Sequence, residues 1–365
     1  MRPVVFAGGG TGGHLYPALA IKEQLDAPAG GDVAAVFVCS DREIDASILG
    51  REGAKFEAIK ARPISSSPFA LAKFVLSWGG AVRAARAAIR SVGNDPIVIA
   101  MGGYVAAPAA QAARAEKAPV LLVNLDAVPG KANRWISRRA DRVLTAAPVE
   151  RSGWEQIPPI VRASAIGGDA RDCRVKLGLD PDRKSLLVTG ASQGARSINL
   201  FMAAFVDRHA DLLAGWQVIH QCGKGGDEDD VRYAYEASSV RAHVTAFLDP
   251  MGPAWGAADL AVSRAGAGSV GEAWANRVPT VFMPYPFHKD QHQKRNAAVL
   301  VDAGGAVVAR DRIEAVANVE GEAGSALLEL LADDGGVRGR MRAALEGLGE
   351  TDGAARVARV IQEMG

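Results

Sequence analysis

Val4-Val5-Phe6-Ala7-Gly8-Gly9-Gly10-Thr11-Gly12-Gly13-His14 is a short apolar strand running into a glycine-rich turn, and Leu186-Leu187-Val188-Thr189-Gly190-Ala191-Ser192-Gln193-Gly194-Ala195-Arg196 repeats that order in the second half of the chain. A helical pattern follows each turn. Glycine suits such a turn because its backbone enters the φ > 0 region and lets N–H groups approach a ligand, and the helix that follows adds partial positive charge. The doubling predicts two nucleotide-type α/β domains facing each other across a cleft, with each turn a candidate cradle for an anion or a sugar.

The rest of the chain fits that frame. Its 365 residues exceed the size at which one core usually keeps growing. Short Val/Ile/Leu runs alternate with Ala-rich helical stretches, the pattern of parallel sheets covered by helices. Strands are expected near Val4–Ala7, Val33–Val38, Ile97–Met101, Val120–Val123 and Arg142–Thr145, then near Leu186–Thr189, Gln217–His220, His243–Phe247, Leu260–Ser263, Thr280–Met283 and Ala306–Ala309. The domain boundary is placed near residue 163. With 42 Lys+Arg against 41 Asp+Glu, the net charge of +1 gives no electrostatic case for nucleic acid as a main partner. The cysteines Cys39, Cys173 and Cys222 are far apart and form neither a disulfide framework nor a C-x-x-C metal site, as expected for a reducing cytosol. The chain enters its first strand without the apolar h-region of a signal peptide, and no apolar run is long enough to span a bilayer.

The first turn lacks the Lys-Ser/Thr of a Walker loop and matches the dinucleotide pattern only loosely, although Asp41 after the second strand keeps a nicotinamide-dependent oxidoreductase open. His14 closes this turn at the carboxyl end of a strand, where an imidazole can act as general base on a hydroxyl or merely cap the helix. The second turn offers backbone N–H groups, the Ser192 hydroxyl and the Gln193 amide, a set suited to a diphosphate. Arg264-Ala265-Gly266-Ala267-Gly268-Ser269 is a further small-residue turn leading to Glu272, whose carboxylate can accept both hydroxyls of a ribose. His288 and His292 have the spacing of a helical metal pair but no third ligand, so sugar contact or helix surface is preferred and no metal is expected.

Taken in order, G-G-T-G-G-H (Gly9–His14), M-G-G-Y-V (Met101–Val105), S-Q-G-A-R (Ser192–Arg196), G-K-G (Gly223–Gly225) and H-K-D-x-x-Q-x-x-N-A (His288–Ala297) resemble the MurG family. These N-acetylglucosaminyltransferases complete lipid II, the membrane-linked precursor of bacterial peptidoglycan. The resemblance implies an α/β fold of GT-B type: two Rossmann-like domains with parallel sheets. Residues 1–163 would form the acceptor and membrane-facing domain and 164–340 the UDP-sugar domain, with a C-terminal helix in 341–365 packing back on the first. It implies donor-binding roles for Arg171, Ser192, Gln193, Gly194, Gly266, Ala267, Glu272 and Gln293, with Leu248 and Met251 lining a uracil pocket. The acceptor side would comprise Thr11, Gly12, Gly13 and Tyr104, with His14 as base. Donor and acceptor would be UDP-GlcNAc and a lipid-linked muramyl-peptide. No cofactor is implied, because backbone N–H groups and helix dipoles can stabilise the leaving diphosphate.

Two stretches depart from the family pattern. Val123-Asn124-Leu125-Asp126 stands where H-E-Q-N is usual, placing Asn124 and Asp126 on the acceptor side, and Gly167-Gly168-Asp169-Ala170-Arg171 stands for G-N-P-V-R. Another acceptor, a UDP-GlcNAc 2-epimerase-like isomerase and a non-catalytic nucleotide-sugar sensor therefore stay open. The apolar stretch Pro68–Trp78, followed by Arg83, Arg86 and Arg90, reads either as a core helix with a basic outer face or as a helix lying on an anionic leaflet. The resemblance favours the leaflet and implies a peripheral protein on the cytoplasmic face of the inner membrane.

Overall fold

The computed structural model describes residues 2–10, 12–29, 32–63, 68–191 and 194–364. The expected site residues Thr11, Ser192 and Gln193 lie outside them. The chain divides into two compact units, Met1–Arg162 with Asp352–Gly365, and Ala163–Thr351.

The first unit is a parallel sheet of β1 (Val4–Ala7), β2 (Ala35–Ser40), β3 (Phe56–Ile59), β4 (Ile97–Ala100), β5 (Val120–Asn124), β6 (Arg142–Thr145) and the two-residue β7 (Glu155–Gln156). Their order is β3-β2-β1-β4-β5-β6-β7. Strands β1, β4 and β5 are buried throughout, as strands covered on both faces must be. Helices α1 (Gly12–Ala29), α2 (Glu43–Arg51), α3 (Pro68–Ser91), α4 (Gly103–Ala115) and α5 (Lys131–Ile136) connect them. Small side chains let α3 and α4 pack closely, with Ala81, Ala85 and Ala88 facing Ala106, Ala109 and Ala113 in one buried cluster. Two of these strands are absent from the sequence reading. Strand β3 alternates weakly because Glu57 and Ala58 are exposed at the sheet edge, and β7 is too short to leave a pattern.

The second unit repeats the winding. Strands β8 (Lys184–Thr189), β9 (Trp216–Gln221), β10 (Ala242–Thr245), β11 (Leu260–Ser263), β12 (Thr280–Phe282) and β13 (Ala306–Val308) pair in the order β10-β9-β8-β11-β12-β13, all parallel. Helices α6 (Ala170–Lys176), α7 (Arg196–His209), α8 (Glu228–Ala237), α9 (Gly252–Ala257), α10 (Ala267–Ala275), α11 (His292–Asp302), α12 (Ala315–Val319), α13 (Glu322–Ala332) and α14 (Gly336–Gly347) complete it. One core lies around Phe201, Phe205 and Tyr235 and the other around Trp255 and Phe282.

Segment 341–365 is shared between the units: residues through Thr351 stay in the second, and the chain rejoins the first at Asp352. There α15 (Gly353–Glu363) buries Val357, Val360 and Ile361 and packs on α1. In both sheets the strand order reverses beside the first strand, between β1 and β4 and between β8 and β11. The carboxyl ends of such strand pairs are where open α/β sheets bind ligands.

Candidate active site

In the first unit the turns after β1 and β4 meet at His14. Gly10 has φ +86°, and a Cβ there would sit 3.1 Å from the Tyr104 hydroxyl, so Tyr104 stands directly against the turn. The turn is tied from beneath by the fully buried Asp45, whose Oδ2 accepts from Gly10 N at 2.7 Å, Ser40 N at 2.9 Å and Ser40 Oγ at 2.6 Å. The β4 turn closes from the other side, where a Cβ on Gly102 would lie 3.3 Å from His14 Nε2 and 3.0 Å from Asn133 Oδ1.

Among the described residues, no partner of hydrogen-bonding geometry meets the buried His14 Nδ1. Burial lowers its pKa, against the opposing pull of the Asp126 and Asp45 carboxylates and the nearby Gly9 backbone. The imidazole is therefore neutral at physiological pH and able to take a proton.

Asn124, expected on the acceptor side, is fully buried at the end of β5. Its Nδ2 donates to Thr145 Oγ1 at 3.0 Å and to the Asp126 carbonyl at 2.8 Å, while its Oδ1 accepts from Asn133 Nδ2 at 2.9 Å. Its amide is committed to shaping the loop that carries Asp126. Of the expected acceptor group, the structure brings together Gly12, Gly13, His14, Tyr104 and Asp126 around the turns, with Asn124 behind them. Asp41, which kept a dinucleotide open, closes on Arg62 at 2.7 and 2.8 Å.

In the second unit, helices α7 and α10 both begin directly after the carboxyl ends of adjacent strands, β8 and β11. Gly194 has φ +75°, and a Cβ there would come within 2.3 Å of the Cys222 carbonyl, so no other residue fits this turn without movement. Gln221, from the end of β9, donates to Ala191 O at 2.9 Å and accepts from Leu248 N at 3.1 Å, fastening the turn to the Leu248–Met251 segment. Leu248 and Met251 are partly buried against the Trp255 core. Glu272 on α10 accepts from Trp255 Nε1 at 2.8 Å. Enclosure of its carboxyl raises the pKa to about 7, against the opposing effect of that bond. Gln293, in the first turn of α11, accepts from Tyr285 N at 2.8 Å.

Gly194, Gly266, Ala267, Glu272 and Gln293 thus follow neighbouring strands on one side of the sheet. Arg171 does not join them, because its exposed guanidinium pairs with Asp182, on the segment entering β8 rather than the turn leaving it. His288 and His292 stack 4.2 Å apart, and His292 Nδ1 bonds Asp290 at 2.9 Å. Among the described residues no group of three His, Cys, Asp or Glu side chains is arranged to hold a metal ion. Asp45, Asn133 and Gln221 escaped the sequence reading. The only signal they carry is a polar residue beside a strand end or in an apolar helix turn.

Glycosyltransferase family 28 models match twice, the N-terminal domain over residues 4–145 and the C-terminal domain over 185–324. The UDP-N-acetylglucosamine--N-acetylmuramyl-(pentapeptide) pyrophosphoryl-undecaprenol N-acetylglucosamine transferase of a Nocardioides species is 36% identical over 99% of this chain and 98% of its own length. The same-named protein of Clavibacter sepedonicus is 34% identical over 100% and 96%. The crystal structure of Acinetobacter baumannii MurG covers 100% of both chains at 24% identity with a TM-score of 0.72, a likeness of fold. The two Rossmann-like units are those of the GT-B fold, and the chain belongs to glycosyltransferase family 28 and, within it, to the MurG family of N-acetylglucosamine transferases.

Proposed function

We propose that this protein moves GlcNAc from UDP-GlcNAc to the sugar hydroxyl of undecaprenyl-pyrophosphoryl-MurNAc-pentapeptide (lipid I), with inversion at the anomeric carbon, giving lipid II. The neutral His14 imidazole at the carboxyl end of β1 carries the reading. His14 Nε2 takes the proton of the acceptor hydroxyl, the oxygen attacks the anomeric carbon, and the bond to UDP breaks in the same displacement. The diphosphate that leaves is met by the N–H groups and helix N-termini of the turns at Gly194 and Gly266–Ala267, while Glu272 accepts the ribose hydroxyls and Leu248 and Met251 flank the base. Gln293 donates to the donor sugar. Gly12, Gly13, Tyr104 and Asp126 line the acceptor side.

The acceptor's lipid calls for contact with an anionic membrane surface on the cytoplasmic face, where nucleotide sugars are made. Supporting this, α3 exposes Phe69, Leu71, Val75 and Leu76, with Leu76 at 82%, which a core helix would bury. Arg86 and Arg90 are paired with Glu116, which offsets part of their charge. Cations are supplied beside α3 by Arg114, Lys117, Arg138 and Arg139, which line a cavity of about 780 Å³ with Trp135. Trp78 of α3 joins that cavity through Gln111 at 2.9 Å and the edge of Trp135. Among the described residues no helix is long and apolar enough to cross a membrane.

Incubation with UDP-GlcNAc, with and without a lipid I analogue, tests the transfer. Acceptor-dependent UDP release is the expected result. UDP-ManNAc formed without acceptor would replace transfer by epimerisation, and release that requires a different acceptor would keep the donor and replace lipid I.

A further inference from the structure

Arg264 immediately precedes the Ala265-Gly266-Ala267-Gly268 turn and is buried, at 8% exposure. Its guanidinium reaches two of the other segments that carry the donor site, those at Ser197 and Met283, while Gln221 fastens the Leu248–Met251 segment. Nη2 donates to Ser197 Oγ at 2.8 Å, in the first turn of α7 beyond Gly194. Nη1 donates to the Met283 carbonyl at 2.7 Å, two residues before Tyr285, whose N–H is held by Gln293. Nη1 also donates to Asp311 Oδ2 at 2.7 Å.

The Asp311 side chain is wholly buried and makes the arrangement rigid. Its Oδ2 also accepts from Ser197 Oγ at 2.6 Å, and its Oδ1 accepts from Ile313 N at 2.8 Å and Asn318 Nδ2 at 3.2 Å. Against the opposing effect of desolvation, the bonds from Ser197, Arg264 and Ile313 N and the guanidinium charge hold the Asp311 carboxyl below the usual carboxylate range. A planar guanidinium fixes several bond directions at once, which an ammonium on a flexible stem does not. Desolvation offsets much of the attraction in a buried ion pair, so such a pair is a weak source of stability. The three-way geometry accounts for the pair better than stability does.

We infer that Arg264 is a positioning residue: locked by Asp311 and Ser197, it holds the α7 turn, the α10 turn and the segment fixed by Gln293 in one register, so that all three meet a single nucleoside diphosphate sugar. The inference rests on the donor reading of this unit. Ser197→Ala removes one arm and leaves the ion pair intact. Arg264→Lys keeps the charge and loses the planar fork.

Donor KM, acceptor KM, kcat, UDP affinity by calorimetry and melting temperature are measured for the wild type and both variants. Each variant is expected to raise donor KM and weaken UDP binding by roughly tenfold, the scale of one hydrogen bond to a charged group, with kcat and acceptor KM near wild type. Asp311→Asn strips a buried cation of its counter-charge and can fail to fold, so Ser197→Ala decides the question. Variants that melt earlier while keeping wild-type donor KM and UDP affinity would overturn the inference alone. A wild type that binds no UDP would overturn the donor reading and this inference with it.

Discussion

Between pH 6 and pH 8 the affinity for UDP-GlcNAc is expected to rise about tenfold through one carboxyl group, because Glu272 titrates near 7. An ionised carboxylate accepts from both ribose hydroxyls, whereas the neutral acid keeps a proton on one oxygen. A group titrating near 7 is about one-tenth ionised at pH 6 and about nine-tenths at pH 8. The pyrophosphate of UDP-GlcNAc is a diester with no proton to lose in that window. Stability should slope the other way. The folded-state pKa lies above the ordinary 4.5, so the contribution of Glu272 to folding is complete below pH 4.5 and is lost as pH rises through 7. The full loss is about 3 kcal/mol at most, in the ligand-free protein. Calorimetric titration at pH 6, 7 and 8, with melting curves at the same values, reads both slopes from one carboxyl. Glu272→Gln should flatten both and bind weakly throughout. Equal wild-type affinity at pH 6 and pH 8 would refute the reasoning, and a slope that survives in Glu272→Gln would remove Glu272 as its source.

His14→Ala should lower kcat by roughly 10²–10⁴-fold, the usual worth of a general base, and leave UDP affinity unchanged by calorimetry; an unchanged kcat removes it as the base. The acid limb of kcat/KM should fall below the ordinary histidine range near 6.5, because burial holds the His14 pKa down. Asp126→Asn removes the foremost charge opposing that shift and should move the limb lower still; a limb that stays put would separate Asp126 from the base. Asn124→Ala strands the buried Asn133 Nδ2, while Thr145 Oγ1 keeps the Ala147 carbonyl, and should cost about 1–3 kcal/mol in urea denaturation. Leu76→Glu should release the protein from vesicles containing phosphatidylglycerol in a flotation assay without altering UDP binding, and retained flotation would move the membrane face away from α3.

What was legible in the chain is what a few neighbouring residues decide. The Gly194 turn is readable because its φ of +75° is a demand of the local backbone that glycine meets, although the Cys222 carbonyl its Cβ would strike lies on another strand's turn. The wholly apolar β1, β4 and β5 are readable because a strand covered on both faces needs no polar alternation. Helix α3 marks the limit of local reading. Its apolar run is as suitable for a core as for a surface, and the decision came from where the chain had room to bury it: Ala81, Ala85 and Ala88 face α4, whereas Phe69 and Leu76 face outward. Polar partners are harder again, since Arg264 and Asp311 are 47 positions apart and Arg86 finds Glu116 30 positions on. A buried ion must be paired or its desolvation goes uncompensated, but that rule says only that a partner exists, not where in the chain it lies. The donor side divides along this line. Its backbone turns are local and appear as motifs, whereas the alignment of one turn to the next is held by Gln221 and Arg264, which bind through contacts the linear order conceals. Substitutions that disable the site need not fall within the glycine motifs, and Ser197, whose hydroxyl bridges Arg264 and Asp311 one residue beyond a motif, is the position where that difference is most directly measured.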